Sequence, residues 1–182
     1  MPKEVGWREA IERIIQLYEL HKEAILRYFL RMTGNREEAR ELTQEAFYQA
    51  CLSLYRFRQE ASLKTWLFSI ARNVYLKHLR EKNKHKTVVW EEDVCFPEQK
   101  IKEINSPAEV LILKEERERV QKALAQLSET ARTIIILKEY EQLSYEEIAG
   151  IFGQTVNWAR VTFFRAKKQL GQVYRELEDE QE

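Results

Sequence analysis

Residues 143–170, "LSYEEIAGIFGQTVNWARVTFFRAKKQL", decide how the C-terminal half folds. Ser144 followed three residues later by Glu147 is a capping box, which satisfies otherwise orphaned amides at a helix start. Ala149 is small and precedes Gly153 by four residues, where a tight turn between helices needs a residue tolerant of positive φ. Thr155 can cap a second helix whose Ala159, Phe163, Ala166 and Leu170 make a buried stripe. Cap, small residue, glycine and basic helix in this order are the layout of a helix-turn-helix, whose second helix enters the DNA major groove. The spacing turns Asn157, Trp158, Val161, Thr162 and Arg165 outward, flanked by Arg160, Lys167 and Lys168. Arginine bonds guanine edges or phosphates, and threonine bonds bases or touches a thymine methyl. A plain helical hairpin with a solvated basic face is the bland alternative. Exposed Trp158 and Val161 favour a partner surface over water.

Working outward, "SPAEVLILKEERERVQKAL" starts the helix that leads into this motif. Ser106 caps, Pro107 takes the first helical position and Glu109 completes a capping box. Further helices are expected at about 128–140, 144–152 and 155–175. Upstream, "TVVWEEDVCFPEQKIKEIN" loses all periodicity and reads as a connector. The N-terminal half regains it. Trp7 to about Met32 repeats apolar residues at helical spacing until "TGN" at 33–35 interrupts, and Asn35 with Glu38 can cap the next helix, to about Tyr55. In that helix Ala39, Leu42, Ala46, Cys51 and Leu54 approximate an apolar face, opposite Glu41, Gln44, Glu45 and Gln49. "FRQEAS" is a loop, and Ser62 caps a helix that fades after Lys82.

The expected fold class is therefore all-α: two small helical domains, 5–85 and 107–176, joined by a flexible linker at 86–106. The C-terminal domain contains the helix-turn-helix, and 177–182 forms an acidic tail. With 182 residues, 5 Gly and 3 Pro, helix breakers are scarce.

The helix opening with "TWLFSIARNVYLKHLR", residues 65–80, has two unlike faces. Leu67, Ile70, Ala71 and Val74 recur as a buried stripe, while Arg72, Asn73, Leu76, Lys77 and Arg80 fall mostly on the other side. A solvated face normally mixes charge signs. This one carries positive charge, an amide and apolar bulk. Beside it, aromatic and polar residues alternate between Phe57 and Trp66. Rings near cations suit single-stranded nucleic acid, because exposed bases stack and phosphates pair. Trp66 and Phe68 taken singly read as core.

Whole-chain charge balances, with 30 basic and 30 acidic residues, so net charge identifies no partner. Two distant cysteines make neither a disulfide scaffold nor a CxxC metal pair. The three histidines, His21, His78 and His85, lack a spaced ligand set, so no metal and no cofactor is expected. GxGxxG, P-loop and GxSxG motifs are absent, which argues against an enzyme. No apolar run reaches membrane-spanning length and no signal-peptide core opens the chain, so a cytoplasmic protein with no membrane insertion of its own is expected.

Together "ARELTQEAFYQA", "FRQEASLKTWLFSIARNVYLKHLR" and "LSYEEIAGIFGQTVNWARVTFFRAKKQL" resemble, in order and spacing, the extracytoplasmic-function group of the sigma-70 family. The resemblance implies a factor that binds core RNA polymerase and directs promoter-specific initiation. Its N-terminal domain would recognise and melt the −10 element, and its C-terminal domain would read duplex at −35. It implies that Leu42, Gln44, Glu45 and Phe47, with Glu41 beside them, dock the clamp of the polymerase's largest subunit. Phe57 to Ser62, including Arg58, would hold an extruded −10 base, and Arg72, Asn73, Leu76, Lys77 and Arg80 would line the adjacent surface. Thr155, Asn157, Trp158, Arg160, Val161, Thr162, Arg165 and Lys168 would meet the −35 element. Trp158 and Thr162 depart from the smaller and the basic residue that many members carry there. The "WEEDV" acids would lie along the polymerase's RNA path, and an anti-sigma protein is the implied regulator. A stand-alone helix-turn-helix regulator is the alternative, but it leaves residues 57–80 without purpose. A helical adaptor with no nucleic-acid role is a third reading.

Overall fold

In the computed structural model of the chain, the described residues are 3–54, 57, 62–85 and 107–179, with side-chain surroundings for 12–54, 57, 62–83 and 113–179. Arg58, the connector at 86–106 with its "WEEDV" acids, and the Ser106 cap lie outside them. Every element among the described residues is helical.

The N-terminal unit is a three-helix bundle of α1 (Lys3–Thr33), α2 (Arg36–Ser53) and α3 (Leu63–His85). Asn35 caps α2 by accepting from the Glu38 amide at 2.9 Å. Ser62 caps α3 by accepting from the Thr65 amide at 3.0 Å. Between the helices Tyr28, Phe29 and Phe68 meet edge to face, with Tyr28 5.2 Å from Phe29 and 5.7 Å from Phe68. All three are fully buried, and each such side chain contributes roughly 1.5–3 kcal/mol. In α2 the buried positions are Ala39, Leu42, Thr43, Ala46, Phe47 and Ala50. Cys51, expected on this face, is exposed, because it is rotated about 100° from Ala50 and the stripe closes there.

The C-terminal unit comprises α4 (Pro107–Gln126), α5 (Glu129–Ile135), α6 (Tyr145–Phe152) and α7 (Val156–Asp179). The helix expected over 128–140 is not uniform: α5 passes into a π-helical segment, Ile136–Tyr140. There the Glu141 amide bonds the Ile136 carbonyl five residues back, at 3.1 Å. Ile134 to Leu137 are all buried, so this stretch is surrounded rather than amphipathic. Also, α7 runs to Asp179, taking the first residues of the expected acidic tail into the helix. Arg119 of α4 holds that end, 3.5 Å from Glu178 and 5.6 Å above the Tyr174 ring.

The two units do not stand apart. Their buried side chains form one contiguous cluster, and α1 touches α4 and α5 while α3 touches α6.

Candidate nucleic-acid interface

The helix-turn-helix forms as its residues dictate. Ser144 and Glu147 complete the capping box, with Ser144 Oγ accepting from the Glu147 amide at 3.1 Å and Glu147 accepting from the Ser144 amide at 2.9 Å. Gly153 adopts φ +62° between α6 and α7, with nothing within 4 Å of where a Cβ would sit. The turn therefore needs glycine for its backbone rather than for space. Thr155 Oγ1 accepts from the Trp158 amide at 3.1 Å and so starts α7.

Ala159, Phe163 and Ala166 are buried, which turns Asn157, Arg160, Val161, Arg165 and Lys168 to solvent. Thr162 is half-buried at the edge of this row. Trp158 is corrected inward: its ring packs 5.0 Å from Phe152 and adjoins the core. A bulky ring one position before Ala159 finds apolar surface more readily than water. The sequence reading missed Phe164, 65% exposed in the middle of the basic row. Its signal was the spacing to Arg160, Val161 and Lys168, hidden because adjacent Phe163 fills the core. Lys167 is tied to Glu139 at 2.8 Å, which holds its ammonium above the usual range.

On α3, Asn73, Lys77 and Arg80 are exposed and Leu76 half-buried. An open groove of about 320 Å³ runs beside them, between α2 and α3, lined by Glu45, Gln49, Ser53, Ile70, Asn73, Val74 and Lys77. It joins residues expected at −10 to one expected against the polymerase. Phe57 packs 5.1 Å from the half-buried Trp66, while Phe68 is core, as expected.

Arg72 is the chief correction on α3. Its side chain is only 16% exposed, its Nε lies 3.3 Å from Glu129 and its guanidinium stacks 4.1 Å from the Phe152 ring. It faces the C-terminal unit, one helix step away from the row containing Asn73. The same seam holds Thr65, which donates to Glu147 at 2.7 Å, and Ser62, 3.5 Å from the same oxygen. Burial opposes ionisation of Glu147, but the bonds from the Ser144 amide and Thr65 outweigh it and hold the carboxyl below the usual range. Lys64 donates to the Glu141 carbonyl at 2.6 Å. Burial pushes the Glu141 carboxyl above the usual range, although Lys64, Arg27 and Arg31 pull it down.

The expected polymerase face also divides. Glu41 and Gln44 are exposed and Glu45 half-buried, but Leu42 and Phe47 are each 6% exposed. Phe47 packs on Tyr18 at 4.9 Å, so these two shape the helix from within. The apolar groups α2 presents outward are Tyr48 and Leu52, which sequence reading passed over because they fall outside its apolar stripe.

Among the described residues no group of His, Cys, Asp or Glu could hold a metal ion, and no helix is long and apolar enough to cross a membrane.

Fold and surfaces define a class: an all-helical two-unit protein that presents a basic helix-turn-helix. Comparison with known proteins narrows it. Sigma-70 region 2 matches residues 17–85, and sigma-70 region 4 matches 117–170. The chain is 33% identical to the RNA polymerase sigma-H factor of Pseudomonas aeruginosa, over 94% of this chain and 90% of that protein. It is 32% identical to the ECF RNA polymerase sigma-E factor of Escherichia coli K12, over 71% of this chain and 70% of the other. A solved structure of the sigma factor RpoE with the anti-sigma factor NepR from Bartonella quintana has a TM-score of 0.73 at 22% identity, covering 90% of this chain and 98% of that one, which shows a shared fold. The chain belongs to the extracytoplasmic-function sigma factors of the sigma-70 family.

Proposed function

We propose that the chain is a cytoplasmic, non-enzymatic initiation factor that joins core RNA polymerase, reads duplex at −35 and opens the promoter at −10. The observation that carries this is the exposed row on α7, Asn157, Arg160, Val161, Phe164, Arg165 and Lys168, in a family that acts with RNA polymerase. Arginine and lysine supply phosphate and guanine contacts, and Val161 and Phe164 supply apolar contact for thymine methyls. At the other unit, Asn73 and Lys77 line a groove whose volume lies at the lower end of small-ligand pockets, and Arg80 is exposed on the same helix. Capturing an unstacked base there or at residues 57–62 offsets the few kcal/mol of unstacking, and the cations hold the backbone. Glu41, Gln44, Tyr48 and Leu52 form the exposed face of α2 suited to the polymerase clamp. The units 5–85 and 107–176 divide these tasks, and no step consumes a nucleotide.

An anti-sigma partner fits the same reading. The solved RpoE structure that shares this fold holds the anti-sigma factor NepR, and α1 leaves Ile15, Tyr18 and Leu20 exposed. Transcription in vitro with core polymerase on genomic fragments, with start sites mapped, tests the assignment. The factor should co-elute stoichiometrically with core and create new start sites. A stand-alone regulator would do neither.

A further inference from the structure

The outward face of α7 has an apolar centre inside a basic frame. Ala159, Phe163 and Ala166 are the buried stripe of this helix. At about 100° per residue, Val161 falls almost opposite that stripe, with Phe164 on one side of it and Arg165 on the other. Asn157 and Lys168 continue the same line before and after it. Val161 is 39% exposed and Phe164 65%. Residues three apart on a helix are neighbours, so the two side chains form one patch. Phe163, itself sunk in the core, meets the Phe164 ring edge to face at 5.8 Å and steadies it.

Charge says what covers this patch. No acidic residue occurs from Val156 to Lys168, whereas Arg160, Arg165 and Lys168 are all exposed there. A frame of one sign suits a polyanion rather than the mixed charges of a protein surface. In the DNA major groove the apolar group on offer is the C5-methyl of thymine. The patch spans about 4.5 Å along the helix axis, against about 3.4 Å between successive base pairs, so it reaches two adjacent steps. Valine and phenylalanine side chains carry no hydrogen-bonding atom. They therefore cannot sense whether position 4 of the pyrimidine bears the oxygen of thymine or the amino group of cytosine.

We infer, resting on the −35 reading assigned above, that Val161 and Phe164 recognise the C5-methyl group itself. The ligand class is then any 5-methylpyrimidine, 5-methylcytosine as well as thymine. Cytosine methylation within the −35 element becomes a signal that raises occupancy at the one or two base pairs the patch covers. Uracil and unmethylated cytosine present a bare C5–H there and lose the contact. Burying one methyl group corresponds to about a three- to fivefold gain in affinity.

Competition binding of the chain with core polymerase to its mapped promoter tests this, using templates that differ by single methyl groups. Uracil replaces each −35 thymine in turn, on either strand. One position, or two adjacent ones, should lose about three- to fivefold in affinity. At those positions 5-methylcytosine should outbind cytosine by a similar factor. Val161→Ser and Phe164→Ser should each shrink both differences, and the double substitution should abolish them. Both side chains are exposed, so helical circular dichroism should not change. Insensitivity of every thymine to uracil overturns the inference, and the wild-type chain alone decides that. So does equal binding of cytosine and 5-methylcytosine at the sensitive positions, or a methyl effect undiminished in the double variant. A chain that forms no promoter complex with core on any template overturns the −35 assignment itself, and this inference with it.

Discussion

At the scale of single residues, neighbours on one helix turn have unlike tasks. Arg72 is half-enclosed against Glu129 and Phe152, whereas Asn73, one position on, is open beside the groove. Asn73→Ala should therefore impair strand opening more than initial duplex binding. Permanganate reactivity at −10 should fall several-fold at matched occupancy, and an equal loss of both would remove Asn73 from that task. His21, half-buried on α1, carries a different signature. Burial, with Lys64 nearby, pushes its imidazole below the ordinary 6.5. The unfolded chain then binds the proton more readily than the folded one. The stability attached to His21 is whole above pH 6.5 and drains as pH falls from there through the lowered folded value. His21→Gln should flatten the decline in denaturation midpoint between neutral and mildly acidic pH.

At the scale of elements, capping and periodicity account for where each helix starts, and a few long side chains account for how helices join. Arg132 shows this most clearly. It donates to the carbonyls of Leu124, Ala125 and Leu127, as well as to Met32 of α1. Removing it leaves several carbonyls unpaired near the core, so Arg132→Ala should cost about 2–4 kcal/mol in urea unfolding. Arg132→Lys should recover only part of that, since an ammonium cannot fork between carbonyls. On α7, Arg165→Ala should lower discrimination among −35 variants by about 1–3 kcal/mol, readable as a flattened promoter-competition profile. Phe164→Ala should weaken −35 binding while leaving the melting temperature nearly unchanged, because its ring is mostly in solvent.

At the scale of the whole molecule, the shared core means that the units are not energetically independent in the free chain. Thermal unfolding followed by helical circular dichroism and by tryptophan emission should give coincident transitions, the mark of one cooperative unit. Two resolved transitions would show that the seam contributes little.

Local chemistry alone determined much of this protein. Asn35, Ser62, Ser144, Thr155 and Gly153 act within a turn of their own position, and the 3.6-residue period marked Ala159, Phe163 and Ala166 as core. Such signals are written into neighbouring residues, so the helices and the helix-turn-helix were legible, and the family with them. Whether Arg72 faces open solvent or Glu129, and whether Phe47 or Tyr48 is the ring left exposed, was settled only when distant segments packed. The π-helical turn and the seam between units belong to the same kind. Those outcomes rest on contacts between residues tens of positions apart, which no local pattern encodes.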